Sequence, residues 1–212
     1  MSGDRPTTVV FDLGNVLVRW DPYGPFAGVV DRAQVEEFFR EVDFPGFNHR
    51  QDRGRPWAEA RREVEAMLPH RTWFVDRYLS HFALAVPGPV PGTADVVKDL
   101  IATGVRTLGL TNWSAETFHH AVPAAPAIGL LEDVLVSGRE GVAKPDAAIY
   151  ALLIERYGLE PAHTVFIDDS PANVAAARAL GLLGIVFADA PTLVRDLRGL
   201  GLSGAEDPLD PA

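Results

Sequence analysis

The sequence predicts an α/β protein in which a doubly wound parallel sheet carries an inserted α-helical segment. Two observations support this prediction. Short, β-branched apolar runs alternate with amphipathic helical segments over most of the chain, which is typical of parallel sheets covered by helices. One long stretch, residues 20–85, breaks the alternation because it shows helical periodicity and no convincing strand.

The first predicted strand covers residues 7–13, Thr-Thr-Val-Val-Phe-Asp-Leu, between Pro6 and Gly14. Its nearly continuous apolar character is typical of a strand that is buried on both faces. Similar runs predict four more strands, at residues 105–110, 133–136, 164–167 and 183–187.

The helices between these strands have recognisable ends in the sequence. Small polar residues and proline favour helix starts, and glycine favours the position just after a helix. The predicted starts and ends are Thr93 and Gly104, Pro145 and Gly158, and Ser170 and Gly181.

Residues 20–88 are predicted to form a helical cap, inserted between the two parts of the core, residues 1–19 and 89–212. Apolar residues recur at helical spacing in three segments of this stretch, residues 33–42, 57–67 and 73–82. A polar loop is predicted at residues 47–54. The Pro- and Gly-rich residues 86–92 are predicted to form a stiff hinge back to the sheet.

Composition argues against several classes of function. The 212 residues carry a net charge of −10 without a cluster of Lys and Arg, so nucleic-acid binding is not expected. No apolar run approaches the roughly 20 residues that cross a bilayer, and the N-terminus has no apolar signal segment. We therefore expect a cytoplasmic protein without a membrane partner, and we expect residues 204–212 to be an unpacked acidic terminus. The absence of cysteine excludes disulfides and thiolate chemistry.

Polar residues interrupt the apolar pattern where the predicted strands end. Asp12 ends the first strand, Thr111-Asn112 follow the second, and Asp168-Asp169 follow the fourth. Lys144 lies between the third strand and the next helix. Each of these alone would usually be a turn, a helix cap or a surface residue. In open parallel sheets, however, ligands bind at the carboxyl ends of the strands, so we expect these side chains to converge on one crevice.

The convergence predicts a specific chemistry. Three carboxylates at neighbouring strand ends repel one another unless a cation lies among them, and an all-oxygen site that also accepts water and phosphate suits Mg²⁺. A carboxylate with one free oxygen, here Asp12, can attack phosphorus and give an aspartyl-phosphate that water hydrolyses. Lys144 adds positive charge beside the same oxygens, and the Thr111 hydroxyl holds the phosphoryl group. These residues predict a magnesium-dependent phosphatase.

Four segments together resemble the motifs of the haloacid dehalogenase-like (HAD) superfamily. They are Val-Val-Phe-Asp-Leu-Gly-Asn-Val-Leu, Gly-Leu-Thr-Asn, Val-Ala-Lys-Pro-Asp and Phe-Ile-Asp-Asp-Ser-Pro-Ala-Asn, in the expected order. The resemblance implies a Rossmann-like core with a helical cap of the superfamily's first class. It implies that Asp12 is the nucleophile and that Mg²⁺ is bound by Asp12, the Gly14 carbonyl and Asp169, with Asp168 acting through water.

The same resemblance assigns the substrate's phosphate to Thr111 and Lys144. The neighbouring Asn112 and Trp113 are expected to complete this part of the pocket, and Arg50 is a candidate contact for the body of the substrate. The partner that these residues predict is a small phosphorylated molecule. The sequence is compatible with a monomer or a homodimer.

One position departs from the superfamily's pattern. Phosphatases of the superfamily usually carry a second Asp, two residues after the nucleophile, as general acid and base, and here that position is Gly14. Losing this acid costs about 10²-fold or more in rate when the leaving group is poor. A substrate with a better leaving group is one explanation, because a similar subgroup with an Asp-Leu-Gly-Asn-Val motif acts on sugar 1-phosphates. A proton donor from the cap is another, with Asp21, His49 and Asp52 as the candidates.

A third explanation is that the chain has left phosphatase chemistry. A 2-haloacid dehalogenase uses the same Asp nucleophile and needs no proton for its halide, and a binding protein could keep the fold without turnover. The pair Asp168-Asp169 favours the phosphatase, because dehalogenases work without a metal and two carboxylates without a cation are electrostatically costly.

Overall fold

The described part of the chain, residues 5–202 of a computed structural model, contains one five-stranded sheet. Its strands are β1 (Thr8–Phe11), β2 (Arg106–Thr111), β3 (Val134–Val136), β4 (Thr164–Asp168) and β5 (Leu183–Val186). The order across the sheet is β3-β2-β1-β4-β5, and all neighbouring strands are parallel. The chain runs outward from the central β1 in both directions, which confirms the predicted doubly wound, Rossmann-like α/β fold.

Helices fill the connections between the strands. They are α1 (Arg32–Glu41), α2 (Phe44–Asp52), α3 (Trp57–Met67), α4 (Thr72–Ser80), α5 (Thr93–Ala102), α6 (Ala121–Ala124), α7 (Ser137–Glu140), α8 (Ala147–Tyr157), α9 (Pro171–Ala179) and α10 (Ala190–Gly199). The first four lie in the stretch for which the sequence predicted helices alone.

The central strand is buried on both faces, as its apolar run predicts. Val9 and Phe11 pack in the cluster that contains α5 and α10, whereas Val10 packs in a second cluster with α8. Successive side chains of a strand point to opposite faces, so these two clusters are the two sides of the sheet. Helices therefore cover both faces, and in such sheets ligands bind at the carboxyl ends of the strands.

The strands are in register at their carboxyl ends. Phe11 of β1 lies beside Gly109 of β2 on one side and Ile167 of β4 on the other. The Asp12 backbone N–H then donates to the Ile167 carbonyl at 2.8 Å. This register places Asp12 level with Asp168, the last residue of β4.

The helical insertion between β1 and α5 packs through aromatic residues. The Phe39 and Phe44 rings stack with centroids 3.9 Å apart, and the Phe38 and Phe74 rings with centroids 4.7 Å apart. Its two connections to the sheet lie side by side, because the Arg19 N–H donates to the Gly88 carbonyl at 2.9 Å. The boundaries predicted for a separate cap, residues 20–88, remain a prediction.

The prediction of a polar loop at residues 47–54 is wrong. Residues 44–52 form helix α2, which follows a left-handed Asp43 (φ 49°) and has proline in its first turn. Only Phe44, Phe47 and Gln51 of this helix are buried. Two apolar residues are too few to produce a visible periodicity, so the helix looks like a loop in the sequence.

Two predicted helix starts are also displaced. Thr93 is the first residue of α5 rather than its N-cap, which is Gly92 in a left-handed conformation. Pro145 lies before α8 instead of within it, because the Asp146 side chain accepts the Ala148 N–H and is the N-cap. The three predicted helix ends are confirmed, since Gly104, Gly158 and Gly181 all take positive φ angles just after their helices.

Within residues 5–202, no helix is long and apolar enough to cross a membrane. The terminus predicted to be unpacked, residues 204–212, lies outside the described residues.

Candidate active site

Asp12 lies directly after β1 and is almost fully buried. Its Oδ1 accepts hydrogen bonds from the Leu13 backbone N–H at 2.7 Å and from Lys144 Nζ at 2.8 Å. Among the described residues no hydrogen bond is directed at Oδ2. One oxygen is therefore held in place and the other is available for chemistry, which is the arrangement that a carboxylate nucleophile needs.

Lys144 is buried between two carboxylates. Its Nζ lies 2.8 Å from Asp12 Oδ1 and 2.7 Å from Asp168 Oδ2, and it donates to the Leu110 carbonyl at 3.0 Å. Burial works against its charged form, but the two carboxylates outweigh burial and raise the pKa of Lys144. The side chain is therefore a fixed cation at the end of the sheet.

Asn112 holds this lysine from the backbone side. Its Nδ2 donates to the Lys144 carbonyl at 2.9 Å, and its Oδ1 accepts the Lys144 N–H at 2.8 Å. Asn112 lines the cavity with Thr111, as predicted, but its amide is engaged with the lysine backbone. These two bonds hold the Lys144 backbone in place, and the direct phosphate binding predicted for Asn112 remains a prediction.

The second carboxylate, Asp168, is fully buried and surrounded by donors. The Ser170 backbone N–H donates to its Oδ1 at 2.8 Å, and Asn173 Nδ2 lies 3.0 and 3.1 Å from its two oxygens. Asn173 was part of the quoted motif without an assigned role. Its position five residues after Asp168, in the first turn of α9, is the signal that could have identified it.

Asp169 completes a cluster of three carboxylates. One oxygen from each of Asp12, Asp168 and Asp169 lies within 4.8 Å of the others. The pKa of Asp169 is raised by burial and by Asp168, while a hydrogen bond from Asn15 lowers it. Asn15, which takes a left-handed φ of 56°, is another site residue to which the sequence reasoning gave no role. Asp12, Asp168 and Asp169 thus bring oxygen donors together where the sequence predicted a metal site, and the ligand set Asp12, Gly14, Asp168 and Asp169 remains a prediction.

The electrostatics of this cluster are unfavourable for the protein alone. The pKa of Asp12 is raised to about 7, because burial and the charge of Asp168 together outweigh the lowering effect of Lys144. One lysine does not balance three carboxylates, so the cluster has the charge and the oxygen donors to bind a divalent cation.

A cavity of about 720 Å³ opens over these residues. It extends from Asp12, Lys144 and Asp169 to the helical insertion, and Trp113 contributes to its lining as predicted. Arg50 does not line this cavity; its guanidinium pairs with Glu63 at 3.0 Å, so the predicted contact with the substrate body is not supported.

The structure distinguishes between the three candidate proton donors by their position relative to the cavity. His49 and Asp52 both line the cavity, whereas Asp21 lies outside its lining. The Asp52 backbone carbonyl accepts a hydrogen bond from Ser137 Oγ at 2.5 Å, which holds Asp52 close to the sheet. Ser137 Oγ also accepts the Trp113 N–H at 3.0 Å, so one hydroxyl links the insertion to the strand ends.

A model of the haloacid dehalogenase-like hydrolase family matches residues 6–181 of the chain, most of its length. The protein belongs to the haloacid dehalogenase-like hydrolases. This membership confirms the resemblance found in the four sequence motifs and makes the HAD protein a hydrolase.

Curated relatives of this HAD hydrolase include phosphatases. The chain is 25% identical over 198 residues to a sesquiterpene phosphatase of Aspergillus oryzae, covering 90% of this chain and 94% of the relative. It is 27% identical over 230 aligned positions to a phosphoglycolate phosphatase of Pseudomonas putida, covering 97% and 82% of the two chains.

Solved structures share the fold of this HAD hydrolase. A HAD family enzyme from Bacteroides thetaiotaomicron superposes with a TM-score of 0.71 at 22% identity, covering 87% of this chain and 95% of that one. The wild-type form of that enzyme in complex with magnesium and inorganic phosphate gives a TM-score of 0.66 at 20% identity, with the same coverage. An L-2-haloacid dehalogenase from Xanthobacter autotrophicus gives 0.62 at 19% identity, covering 93% and 84%.

Proposed function

We propose that this HAD hydrolase is a Mg²⁺-dependent phosphatase that hydrolyses a phosphate monoester by covalent attack of Asp12. The observation that carries the proposal is the cluster at the sheet end, where Lys144 bridges Asp12 and Asp168 and where Asp169 adds a third carboxylate. The cluster combines a nucleophile, a fixed cation and a set of oxygen donors in one cavity.

The donor set fits magnesium. Mg²⁺ prefers oxygen ligands and keeps several waters. Three carboxylate oxygens lie within 4.8 Å of one another, and two of the residues that carry them, Asp12 and Asp169, line the cavity. Asp12, Asp169 and the Gly14 carbonyl would hold the ion, with Asp168 behind them. When bound, it would offset the negative charge of the carboxylates and of the substrate's phosphate.

The residues divide the work of the reaction. Asp12 Oδ2 attacks phosphorus, the bond from phosphorus to the ester oxygen breaks, and an aspartyl-phosphate forms while the alcohol leaves with a proton from an acid. Water then attacks the aspartyl-phosphate, which releases phosphate and regenerates Asp12. Lys144 and the Thr111 hydroxyl would stabilise the phosphoryl oxygens throughout.

The relatives support the phosphatase chemistry, but they do not agree on the alcohol part of the substrate. The names of the two phosphatases above refer to very different alcohols, a terpene and a two-carbon acid. The sugar phosphate suggested by the Asp-Leu-Gly-Asn-Val motif is a third possibility. The dehalogenase neighbour shares the fold, but the three clustered carboxylates fit a metal-assisted reaction better.

The proposal is tested by incubating the protein with phosphate esters and with 2-haloacids, each with Mg²⁺ and with a chelator. We expect phosphate release that requires Mg²⁺, with p-nitrophenyl phosphate as the most general substrate. Halide release that continues in the chelator would instead establish the dehalogenase, and no turnover of either panel would indicate a binding protein.

We also infer that Asp52 is the proton donor that replaces the missing acid at Gly14. Burial raises the pKa of Asp52 to about 7, while hydrogen bonds from the Ser114 backbone and from Asn48 lower it. Lys144 and Asp12 face the same carboxyl across the cavity, with opposite effects on its pKa. A carboxyl that keeps its proton near neutral pH and lines the cavity is suited to general acid catalysis.

Asp52→Asn is expected to lower kcat on alkyl phosphates by about 10²-fold, because alkoxides are poor leaving groups, and to have little effect on p-nitrophenyl phosphate. In the wild type the acid is protonated below pH 7, so the rate on alkyl phosphates should fall as pH rises above 7. The variant should lack that alkaline decline. Steady-state kinetics from pH 5 to pH 9 measure both effects.

A second substitution distinguishes lost acid catalysis from lost structure. A Cβ added at Gly14 meets no atom within 4 Å, so a side chain can begin there without a clash at its Cβ. Gly14→Asp in the Asp52→Asn background should restore a large part of the lost rate on alkyl phosphates. An equal loss on both kinds of ester, without rescue, would show that Asp52 only supports the fold.

A further inference from the structure

The part of the cavity formed by the helical insertion is a continuous surface of aromatic rings, which we call the aromatic wall: Trp20, Tyr23, Phe39, Phe44, Tyr78 and Phe82. Neighbouring rings are in contact along the wall. Tyr23 and Phe39 have centroids 5.1 Å apart, Phe44 and Tyr78 5.7 Å, and Tyr78 and Phe82 5.5 Å. The wall faces the space into which the alcohol part of a bound phosphate ester must extend.

The polar groups on this side of the cavity are largely bonded to one another. Asn48 Nδ2 donates to Asp52 at 3.0 Å, and Trp57 Nε1 donates to Ser114 Oγ at 3.1 Å. Trp113 Nε1 is likewise bonded to a neighbouring hydroxyl at 3.1 Å. A site that selects a sugar needs free donors and acceptors for its hydroxyls, because each buried hydroxyl without a partner costs free energy.

A few polar groups are exceptions, among them the Tyr78 hydroxyl, which is buried in the aromatic wall without a hydrogen-bond partner among the described residues. Arg40 lines the cavity but is exposed to solvent, so it lies at the open margin, and His49 is half-buried on α2. These few groups do not satisfy a polyhydroxylated molecule, and the surface formed by the insertion is mainly apolar.

The size of the cavity points the same way. About 720 Å³ lies within the range of roughly 300–1,000 Å³ that is typical of pockets for drug-sized ligands. This volume is far larger than a phosphate group on a two- or three-carbon alcohol. A small alcohol would leave the aromatic wall in contact with water.

We propose that the alcohol accepted by this site is a bulky hydrocarbon, so that the preferred substrates are phosphate monoesters with a long apolar body. This inference rests on the proposed phosphatase function and adds the substrate class to it. The aromatic wall provides the binding free energy through apolar burial, and the carboxylate cluster binds the phosphate end.

A series of n-alkyl phosphates, from ethyl through butyl and hexyl to octyl, isolates this effect because all are esters of primary alcohols with similar leaving groups. We expect kcat/KM to rise with chain length by up to about fourfold per methylene, the limit set by full burial of a CH₂ group. Glucitol 6-phosphate, which has the six carbons of hexyl phosphate with a hydroxyl on each of the other five carbons, should be the poorer substrate.

Trp20→Ala tests the wall itself, with Trp73→Ala as its matched control. Trp20 lines the cavity and is 39% exposed, whereas Trp73 is 45% exposed and lies outside the lining. Trp20→Ala should raise KM for octyl phosphate by about tenfold and weaken the rise of kcat/KM with chain length. Trp20→Phe should restore part of this dependence on chain length. Trp73→Ala should keep the wild-type series.

Binding keeps the inference testable even without turnover. Calorimetry of the Asp12→Asn variant with Mg²⁺ should show octylphosphonate binding at least tenfold more tightly than ethylphosphonate. Phosphatase activity that is independent of chain length, or that favours glucitol 6-phosphate, would overturn the apolar substrate class and leave the phosphatase intact. Absence of turnover on every ester, with octylphosphonate still preferred, would overturn the proposed function and support the apolar site.

Discussion

Asp12→Asn is expected to reduce phosphatase turnover by about 10⁴-fold or more, because an amide cannot form the aspartyl-phosphate. The substitution is nearly isosteric. The Asn Oδ1 can still accept from the Leu13 N–H and Lys144 Nζ, which lie 2.7 and 2.8 Å from the oxygen it replaces. The new NH₂ occupies the Oδ2 position, to which no donor among the described residues points. Release of phosphate from p-nitrophenyl phosphate measures the loss.

The folded state should tolerate this change, since it removes one carboxylate from a cluster of three that shares one lysine. We expect the free energy of unfolding in urea to stay within about 1 kcal/mol of the wild type or to increase. Asp133→Asn is a matched control, because Asp133 Oδ1 accepts the next residue's N–H at 2.8 Å just as Asp12 does, but outside the cavity lining. Retention of more than about one percent of activity by Asp12→Asn would exclude Asp12 as the nucleophile.

Much of the fold could be predicted because the strands are short and strongly apolar. The runs at β1 and β4 are fully buried, so nothing in them competes with the strand pattern. Their polar ends then locate the site by a general rule of parallel sheets. This rule predicts that Asp12, Lys144 and Asp168 lie close together, although they are far apart in the sequence.

The remaining features depend on tertiary contacts that leave little pattern in the sequence. Helix α2 was missed because its burial rests on Phe44, Phe47 and Gln51 alone. The amide of Asn112 bonds to a backbone 32 residues away, and no local spacing encodes that pairing. The proton affinity of Asp52 likewise arises from burial against the strand ends. Such properties belong to the assembled cavity.

Lys144→Met is expected to be the most destabilising single change at the site, lowering the free energy of unfolding by about 3–5 kcal/mol. The methionine fills much of the space but leaves Asp12 and Asp168 buried without the cation that lies 2.8 and 2.7 Å from them. Phosphatase activity should also be lost. Urea denaturation in a chelator, so that divalent cations cannot compensate, measures the stability change.

Adding Asp168→Asn should recover part of the stability that Lys144→Met removes, because it deletes one of the two unpaired charges. The effects of the two substitutions on the free energy of unfolding should therefore not be additive.

The stability of Lys144→Met should also depend on pH, with a definite sign. The pKa of Asp12 is already raised to about 7 with the lysine present, and it rises further without it. The folded state then binds more protons than the unfolded state, so the stability of Lys144→Met should increase as pH falls from 8 to 5. The contrary result is a loss in the free energy of unfolding, relative to the wild type, that is below about 1 kcal/mol at pH 8 or that grows toward pH 5. It would show that the ion pairs of Lys144 do not stabilise this end of the sheet.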